Sequence, residues 1–294
     1  MIKVSVVIPA KNEELSIGNV VSDIFSTFSN KPKSLQNYHL SEVLVINDGS
    51  SDGTEIKASE AGATVVTHHY SKGNGAAVKT GARKAVGDIF VFMDADGQHQ
   101  PKDILHLIQK IDDGYDLAIG SRSKESQASI GRSWANKFYN KFASYMTGHK
   151  VEDLTSGFRA VRADRFKEFI YLLPNGFSYP TTSTMAFFRA GYSVTYVPIH
   201  APKRSGKSHI NPLKDGIRFL LIIFKVGTLY SPLKLFLPIS LVVFITGLAY
   251  YGYTFITMTR FTNMSALMFT TSLIIFMVGL VSEQITALMY KQEN

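Results

Sequence analysis

From the N-terminus to about residue 120, short apolar runs alternate with stretches whose apolar residues recur at helical spacing. That alternation predicts parallel βαβ units, because two strands of one sheet that run the same way need a crossover, usually a helix. Strands are predicted at 4–8, 43–46, 64–67, 89–93 and 117–119, with helices between them at 17–28, 54–61, 74–86 and 101–112. The first helix is marked by Ile17, Val20, Val21, Ile24, Phe25 and Phe28 on one face. The last opens on Pro101, whose missing N–H costs nothing in a first helical turn. A further helix at 132–146 places Trp134, Phe138, Phe142 and Tyr145 on a face expected to pack into the core, and a strand at 194–198 closes this part of the chain.

The pattern then changes. Residues 235–256 and 264–282 carry no charge, and each stretch is about as long as a bilayer crossing requires. They predict a hairpin of two transmembrane helices at about 235–256 and 265–288. Before it, Leu213, Ile217, Leu220, Leu221 and Phe224 share one helical face, while Lys214, Arg218 and Lys225 share another. That is the design of a helix lying in the membrane interface, and a helix docked on the soluble part is the alternative. Arg260 is the only charge in the hairpin turn, with Lys225, Lys234 and Lys291 on the other side, so the positive-inside rule expects both ends and the large domain in the cytoplasm. Glu283, near the inner end of the second span, is expected to snorkel to the interface. The resulting division is 1–210, an α/β domain; 211–232, an amphipathic juxtamembrane helix; and 233–294, the hairpin.

Charge sharpens this picture. The net charge of +8 is concentrated ahead of the hairpin, where Lys203, Arg204, Lys207, Lys214, Arg218, Lys225 and Lys234 face the single acid Asp215, a pattern suited to anionic headgroups or a lipid phosphate. No zinc-finger spacing or RNA-binding aromatic motif accompanies it, so no nucleic-acid partner is expected. With no cysteine there is no disulfide framework, zinc-thiolate site or cysteine nucleophile, which agrees with a cytoplasmic catalytic part. Residues 1–8 pass at once into Pro9-Ala10-Lys11-Asn12-Glu13-Glu14, too polar for a signal peptide.

Candidate chemistry sits at the predicted strand ends, where open parallel sheets bind ligands. Asp94-Ala95-Asp96 ends the run Ile89-Phe90-Val91-Phe92-Met93 and offers two carboxylates on one turn. Such a pair suits Mg²⁺ or Mn²⁺, and Mg²⁺ is usually held by one or two carboxylates plus substrate phosphates. Taken alone it is also an ordinary Asp-rich turn. Three more pieces accompany it: Pro9-Ala10-Lys11-Asn12-Glu13; Asn47-Asp48-Gly49-Ser50-Ser51-Asp52-Gly53-Thr54, in which Asp48 can accept from a base N–H; and Gly73-Asn74-Gly75-Ala76-Ala77. The last is neither a dinucleotide fingerprint nor a phosphate-binding P-loop.

These four pieces in this order resemble the family 2 glycosyltransferases of the GT-A fold, and most of all the polyprenyl-phosphate sugar transferases, dolichyl-phosphate mannose synthases among them. The resemblance runs from the first strand to about Asn211. It implies a Rossmann-like, mostly parallel sheet flanked by helices, and inverting transfer of a sugar from a UDP- or GDP-sugar to a polyprenyl phosphate at the cytoplasmic face. Carried over by residue, it makes Asp94, Asp96 and Gln98 the metal and diphosphate site, and Pro9, Ala10, Asn12, Glu13, Asp48 and Gly73 with Asp94 the nucleotide site. Asp96, Arg122 and Asp153 become the catalytic set, with a structural N-cap ahead of Ser156 as the alternative for Asp153, and Arg122, Arg132 and Ser156, the last in Asp153-Leu154-Thr155-Ser156-Gly157-Phe158-Arg159, the acceptor-phosphate region. Lys203, Arg204 and Lys207 resemble a basic loop closing over the donor. Lys11 stands where the mannose synthases usually carry an aromatic residue, and Asn47 where they usually carry Asp, so the resemblance does not extend to guanine or mannose selectivity. His99 is read as a turn residue beside the site, with metal ligation as the alternative. A homo-oligomer is compatible with the hairpin. Two rival readings are a processive polysaccharide synthase, disfavoured because the only tryptophan, Trp134, follows Ser133 and not Arg, and a non-catalytic nucleotide-sugar-binding membrane protein.

Overall fold

The computed structural model describes residues 1–122, 130–176, 178–199, 224–225 and 227–289, the side chains of 130–136 excepted. Lys203, Arg204 and Lys207, Lys214 and Arg218, and the side chains of Arg132 and Trp134 therefore lie outside the described residues. The chain divides into two units, Met1–His209 and Ile210–Asn294.

The first unit is built on one seven-stranded sheet. Its strands are β1 (Ile2–Ala10), β2 (Tyr38–Asn47), β3 (Thr64–Thr67), β4 (Ile89–Phe92), β5 (Leu117–Arg122), β6 (Arg159–Arg162) and β7 (Val194–Ile199), in the order β3-β2-β1-β4-β6-β5-β7. β1 and β4 lie inside the sheet, and Val4, Val6, Val7 and Ile8 together with Phe90, Val91 and Phe92 are fully buried. Helices cover both faces, so these strands read as continuous apolar runs rather than alternating ones. The helices α1 (Ile17–Ser29), α2 (Thr54–Glu60), α3 (Asn74–Lys84) and α4 (Asp103–Asp112) follow the predicted crossovers within a few residues. In α1 the buried stripe is Ile17, Val20, Val21, Ile24 and Phe28, while Phe25 at its margin is 37% exposed. Register decides where the loops go. Ala10 pairs with Asn47, Asn47 with Thr67, and Val7 with Phe92, so the chain leaves β1, β2, β3 and β4 along one edge.

Two features depart from the predicted pattern. β6 runs antiparallel to both β4 and β5, inserted between them, with Arg159 opposite Phe92 and Ile119. Its sequence, Arg159-Ala160-Val161-Arg162, has arginine at both ends of two small apolar residues, which hides a strand from hydrophobicity; yet Arg159 is fully buried. The second concerns α5 (Ile130–Thr147), whose buried side chains include Tyr139, Ala143 and Met146, while Phe138 and Tyr145 are 58% and 56% exposed. The buried stripe is offset by one residue from the aromatic one, so the expected core face is corrected to an outer face. Two further helices, α6 (Ala163–Lys167) and α7 (Tyr179–Arg189), precede β7.

In the second unit α8 (Pro232–Met258) and α9 (Asn263–Met289) pair as an antiparallel hairpin, each long and apolar enough to cross a membrane. Their mean hydropathies are 2.0 and 2.1, with only 11% and 17% of the most apolar windows buried, so the apolar surface faces outward as no soluble core helix does. The seam is made of small residues at heptad spacing, Ser240, Gly247 and Thr254 on α8 and Ser265, Ser272, Gly279 and Thr286 on α9, all buried. Small side chains let two backbones approach closely in lipid, where hydrophobicity alone does not drive association. Ser272 Oγ donates to the Ser240 carbonyl at 2.9 Å. Glu283 accepts from Ser231 Oγ at 3.2 Å and the Leu233 N–H at 3.1 Å, occupying the N-terminal turn of α8, where a carboxylate meets otherwise unbonded donors.

Candidate active site

The loops that leave β1, β2, β3 and β4 enclose a cavity of about 580 Å³. Pro9, Ala10, Glu13, Asp48, Gly73, Asp94, Asp96 and Gln98 all line it, so eight sequence-predicted site residues from four separate loops share one wall. Asn12 does not line it. Its left-handed backbone (φ 55°) turns its side chain to accept from the Ser51 N–H at 2.9 Å, tying the β1 loop to the β2 loop.

Asp48 is buried, and its carboxylate is fully engaged. One oxygen takes His68 Nδ1 at 2.7 Å and the Lys72 N–H at 2.8 Å; the other takes Ser71 Oγ at 2.8 Å and the Gly73 N–H at 2.9 Å. Burial alone would raise this carboxyl, but the hydrogen bonds from His68, Lys72, Ser71 and Gly73 outweigh it and hold the group at about 2. His68 is held in turn by Thr80 Oγ1 at 2.9 Å. Asp48 thus folds the 68–73 loop around itself. In that loop Gly73 has φ +101°, and a Cβ there would lie 2.5 Å from the Asn175 carbonyl, so the turn admits only glycine. Lys11 Nζ reaches Ser71 Oγ at 3.0 Å across the same end of the cavity.

Asp94 and Asp96 leave β4 on a tight turn. Asp96 Oδ1 accepts the Gln98 N–H at 3.1 Å, and Gly97 has φ +72°. The Asp94 side chain is 38% exposed, toward the cavity rather than bulk solvent. Burial pushes its carboxyl above the ordinary value and the Asp96 charge pushes the same way, against His99, Arg122 and Arg159. His99 is buried with Nδ1 accepting the Asp94 N–H at 3.4 Å and its ring stacked on Phe158 at 4.9 Å, and burial lowers its pKa against the charges of Asp94 and Asp96. Two carboxylates that repel each other at a cavity wall form a partial ligand set for a hard cation. Among the described residues no group of three or more His, Cys, Asp or Glu completes one.

Beside the cavity, Arg122 at the end of β5 makes a bidentate pair with Asp153, Nε to Oδ2 at 2.8 Å and Nη2 to Oδ1 at 3.1 Å, and also donates from Nη2 to Thr155 Oγ1 at 2.8 Å. Burial would raise the Asp153 carboxyl; the Arg122 hydrogen bonds and charge prevail and lower it. Neither Arg122 nor Asp153 lines the cavity, but Thr155, which Arg122 holds, does. Ser156 is 2% exposed and presents almost no surface. Asn74 and Ala77 of the third sequence piece line the cavity wall too, while sequence reasoning missed Ser71, Gly176, Tyr179 and Pro180. A signal for part of it was present: Gly75 faces the 174–176 loop so closely that a Cβ would lie 2.1 Å from the Pro174 carbonyl.

A mostly parallel sheet thus delivers two carboxylates, at the end of an inner strand, to a cavity of ligand size. The chain belongs to glycosyl transferase family 2, whose description matches residues 5–170; residues 231–288 match the GtrB C-terminal hairpin. It is 28% identical over 252 residues to the glycosyltransferase AglJ of Haloferax volcanii, covering 83% of this chain and 78% of that one. It is 37% identical over 189 residues to the dolichol-phosphate mannosyltransferase of Pyrococcus furiosus, covering 60% of this chain but only 50% of that protein. Crystal structures of glucosyl-3-phosphoglycerate synthase from Mycobacterium tuberculosis share the fold, one with Mn²⁺, UDP-glucose and phosphoglyceric acid at a TM-score of 0.59, 22% identity, and coverage of 77% of this chain and 79% of that one.

Proposed function

We propose that this chain transfers a sugar, with inversion, from a nucleoside-diphosphate sugar to a polyprenyl phosphate at the cytoplasmic face of a membrane. The observation that carries the reading is the convergence of Asp94 and Asp96 with the loops after β1, β2 and β3 on one cavity. The acceptor class is supported by the membrane-length hairpin and by relatives named for dolichyl or undecaprenyl phosphate.

The donor's nucleotide lies along Pro9, Ala10, Glu13 and the Gly73 turn, with Asp48 acting through the loop it folds. Asp94, Asp96 and Gln98 would hold the ion and diphosphate, and a bound Mg²⁺ or Mn²⁺ would supply positive charge to the leaving group. The acceptor phosphate is already an anion at neutral pH, so it needs positioning rather than a general base. Arg122, oriented by Asp153, does that positioning with its planar fork. The acceptor oxygen bonds to C1 of the sugar as the C1–oxygen bond to the diphosphate breaks. Arg132 is assigned to the acceptor side, and Lys203, Arg204 and Lys207 to donor closure, on the family resemblance, whereas Ser156, expected beside the acceptor phosphate, is buried at 2% exposure and does not face it. Asp96→Ala tests the reading: it should abolish transfer and metal-dependent binding of nucleoside diphosphate, and undiminished transfer by the wild type in chelator would overturn it.

A further inference from the structure

Arg159 is the largest fully buried side chain among the described residues. Its Nη1 donates to the Pro180 carbonyl at 3.1 Å, Ser183 Oγ at 2.7 Å and Thr184 Oγ1 at 3.3 Å, and its Nη2 to the Ser156 carbonyl. Every one of these partners is neutral, and Nε is buried without a partner among the described residues. A buried charge is ordinarily paired with an opposite one, because removing it from water costs far more than neutral hydrogen bonds return. The N-terminal turn of α7 around it adds partial positive charge rather than offsetting it. At 0% exposure Arg159 cannot touch an acceptor.

The compensating charge lies one layer away. Arg159 holds the Ser156 carbonyl, and the next residue, Gly157, packs so closely on Asp94 that a Cβ would be 3.2 Å from both carboxylate oxygens. Tyr179, whose hydroxyl donates to the Gly157 carbonyl at 3.3 Å, lies under the guanidinium at 5.8 Å. The charges of Asp94 and Asp153 both act on Arg159.

We infer that Arg159 is a positioning residue: a buried cation behind the Asp94–Asp96 turn that disfavours a metal ion alone and favours the metal together with the donor's diphosphate. This rests on Asp94 and Asp96 being the metal and diphosphate site. A purely structural arginine and an electrostatic one differ in sign. Loss of a structural residue weakens every ligand, whereas loss of this charge removes repulsion from a cation and attraction from an anion.

The test is equilibrium binding to the full-length protein in detergent of Mn²⁺ alone, and of UDP and GDP in saturating Mn²⁺, for wild type, Arg159→Met and Arg159→Lys, with thermal unfolding to establish folding. Arg159→Met should bind Mn²⁺ about threefold more tightly and the bound nucleotide about tenfold more weakly, while Arg159→Lys stays within about threefold of wild type for both. Equal affinities in Arg159→Met, or weakening of both ligands, overturns the inference. If Arg159→Met does not fold, Arg159→Lys decides: nucleotide affinity lost tenfold or more with the charge retained overturns it, and near-wild-type affinities support it. Wild type that binds neither Mn²⁺ nor nucleotide overturns the site assignment itself, and the inference with it.

Discussion

At the level of single residues, the site is a set of loops fastened by side chains that do not all face the ligand. Asp48 is the clearest case, because all four of its hydrogen-bond donors belong to the loop it organises. Asp48→Asn should leave at least one buried donor facing an NH₂ group and destabilise the protein by about 1–3 kcal/mol, seen as a lower unfolding midpoint. The sign of the pH effect follows from the lowered pKa. Asp48 contributes stability that is fully present above the ordinary carboxylate value and lost as pH falls through about 4 toward about 2, so the variant should show a flatter acid limb. An unchanged acid limb would remove Asp48 from the loop's electrostatics. Arg122→Lys keeps the charge but loses the fork to Asp153 and Thr155, so it should raise the apparent KM for lipid phosphate with donor hydrolysis nearly intact. Equal loss of donor affinity would place Arg122 on the wrong substrate. The carboxylates Asp94 and Asp96 were legible because they end a long apolar run. His68, Ser71 and Tyr179 were not, since their positions depend on which loops meet, and single residues in turns carry no period.

Among elements, periodicity recovered β1 to β5 and α1 to α4 because each buries one face or both in the core. It failed at β6, where a strand pairs with β4 and β5 from a distance and its one inward side chain at the site end is an arginine. It also failed at α5, where the aromatic stripe is not the buried one: Tyr139, Ala143 and Met146 pack inward, while Phe138 lies outside. In the hairpin the apolar spans were evident from composition, but the seam was hidden, since serine, glycine and threonine look polar in a lipid-facing pattern. Gly279 has the tightest contact there, a Cβ falling 2.6 Å from Phe236 Cβ. Gly279→Leu should therefore splay the two helices and cost about 1–3 kcal/mol, read as a lower unfolding temperature of the full-length protein in detergent. Full retention of that temperature would mean the seam tolerates separation.

For the whole molecule, a unit of glycosyl transferase family 2 and a membrane-length hairpin share one chain. The hairpin's two helices are too few to enclose a polar path, so its proposed role is to keep the active site where a lipid phosphate lies. A protein ending at residue 210 should still bind nucleotide-sugar but transfer poorly to a long-chain polyprenyl phosphate in membranes, and better to a short, water-soluble prenyl phosphate. Full-length rates on the membrane-embedded acceptor would reduce the hairpin to a tether. The most direct measurement is transfer by the purified full-length protein, in micelles holding undecaprenyl phosphate, from a panel of UDP-, GDP- and dTDP-sugars with Mg²⁺ or Mn²⁺, the lipid products being read by mass spectrometry. The account predicts one polyprenyl-phosphate sugar, formed with release of one nucleoside diphosphate and abolished by chelator and by Asp96→Ala. Sugar lost only to water, or a lipid product formed at the same rate in chelator, would contradict it.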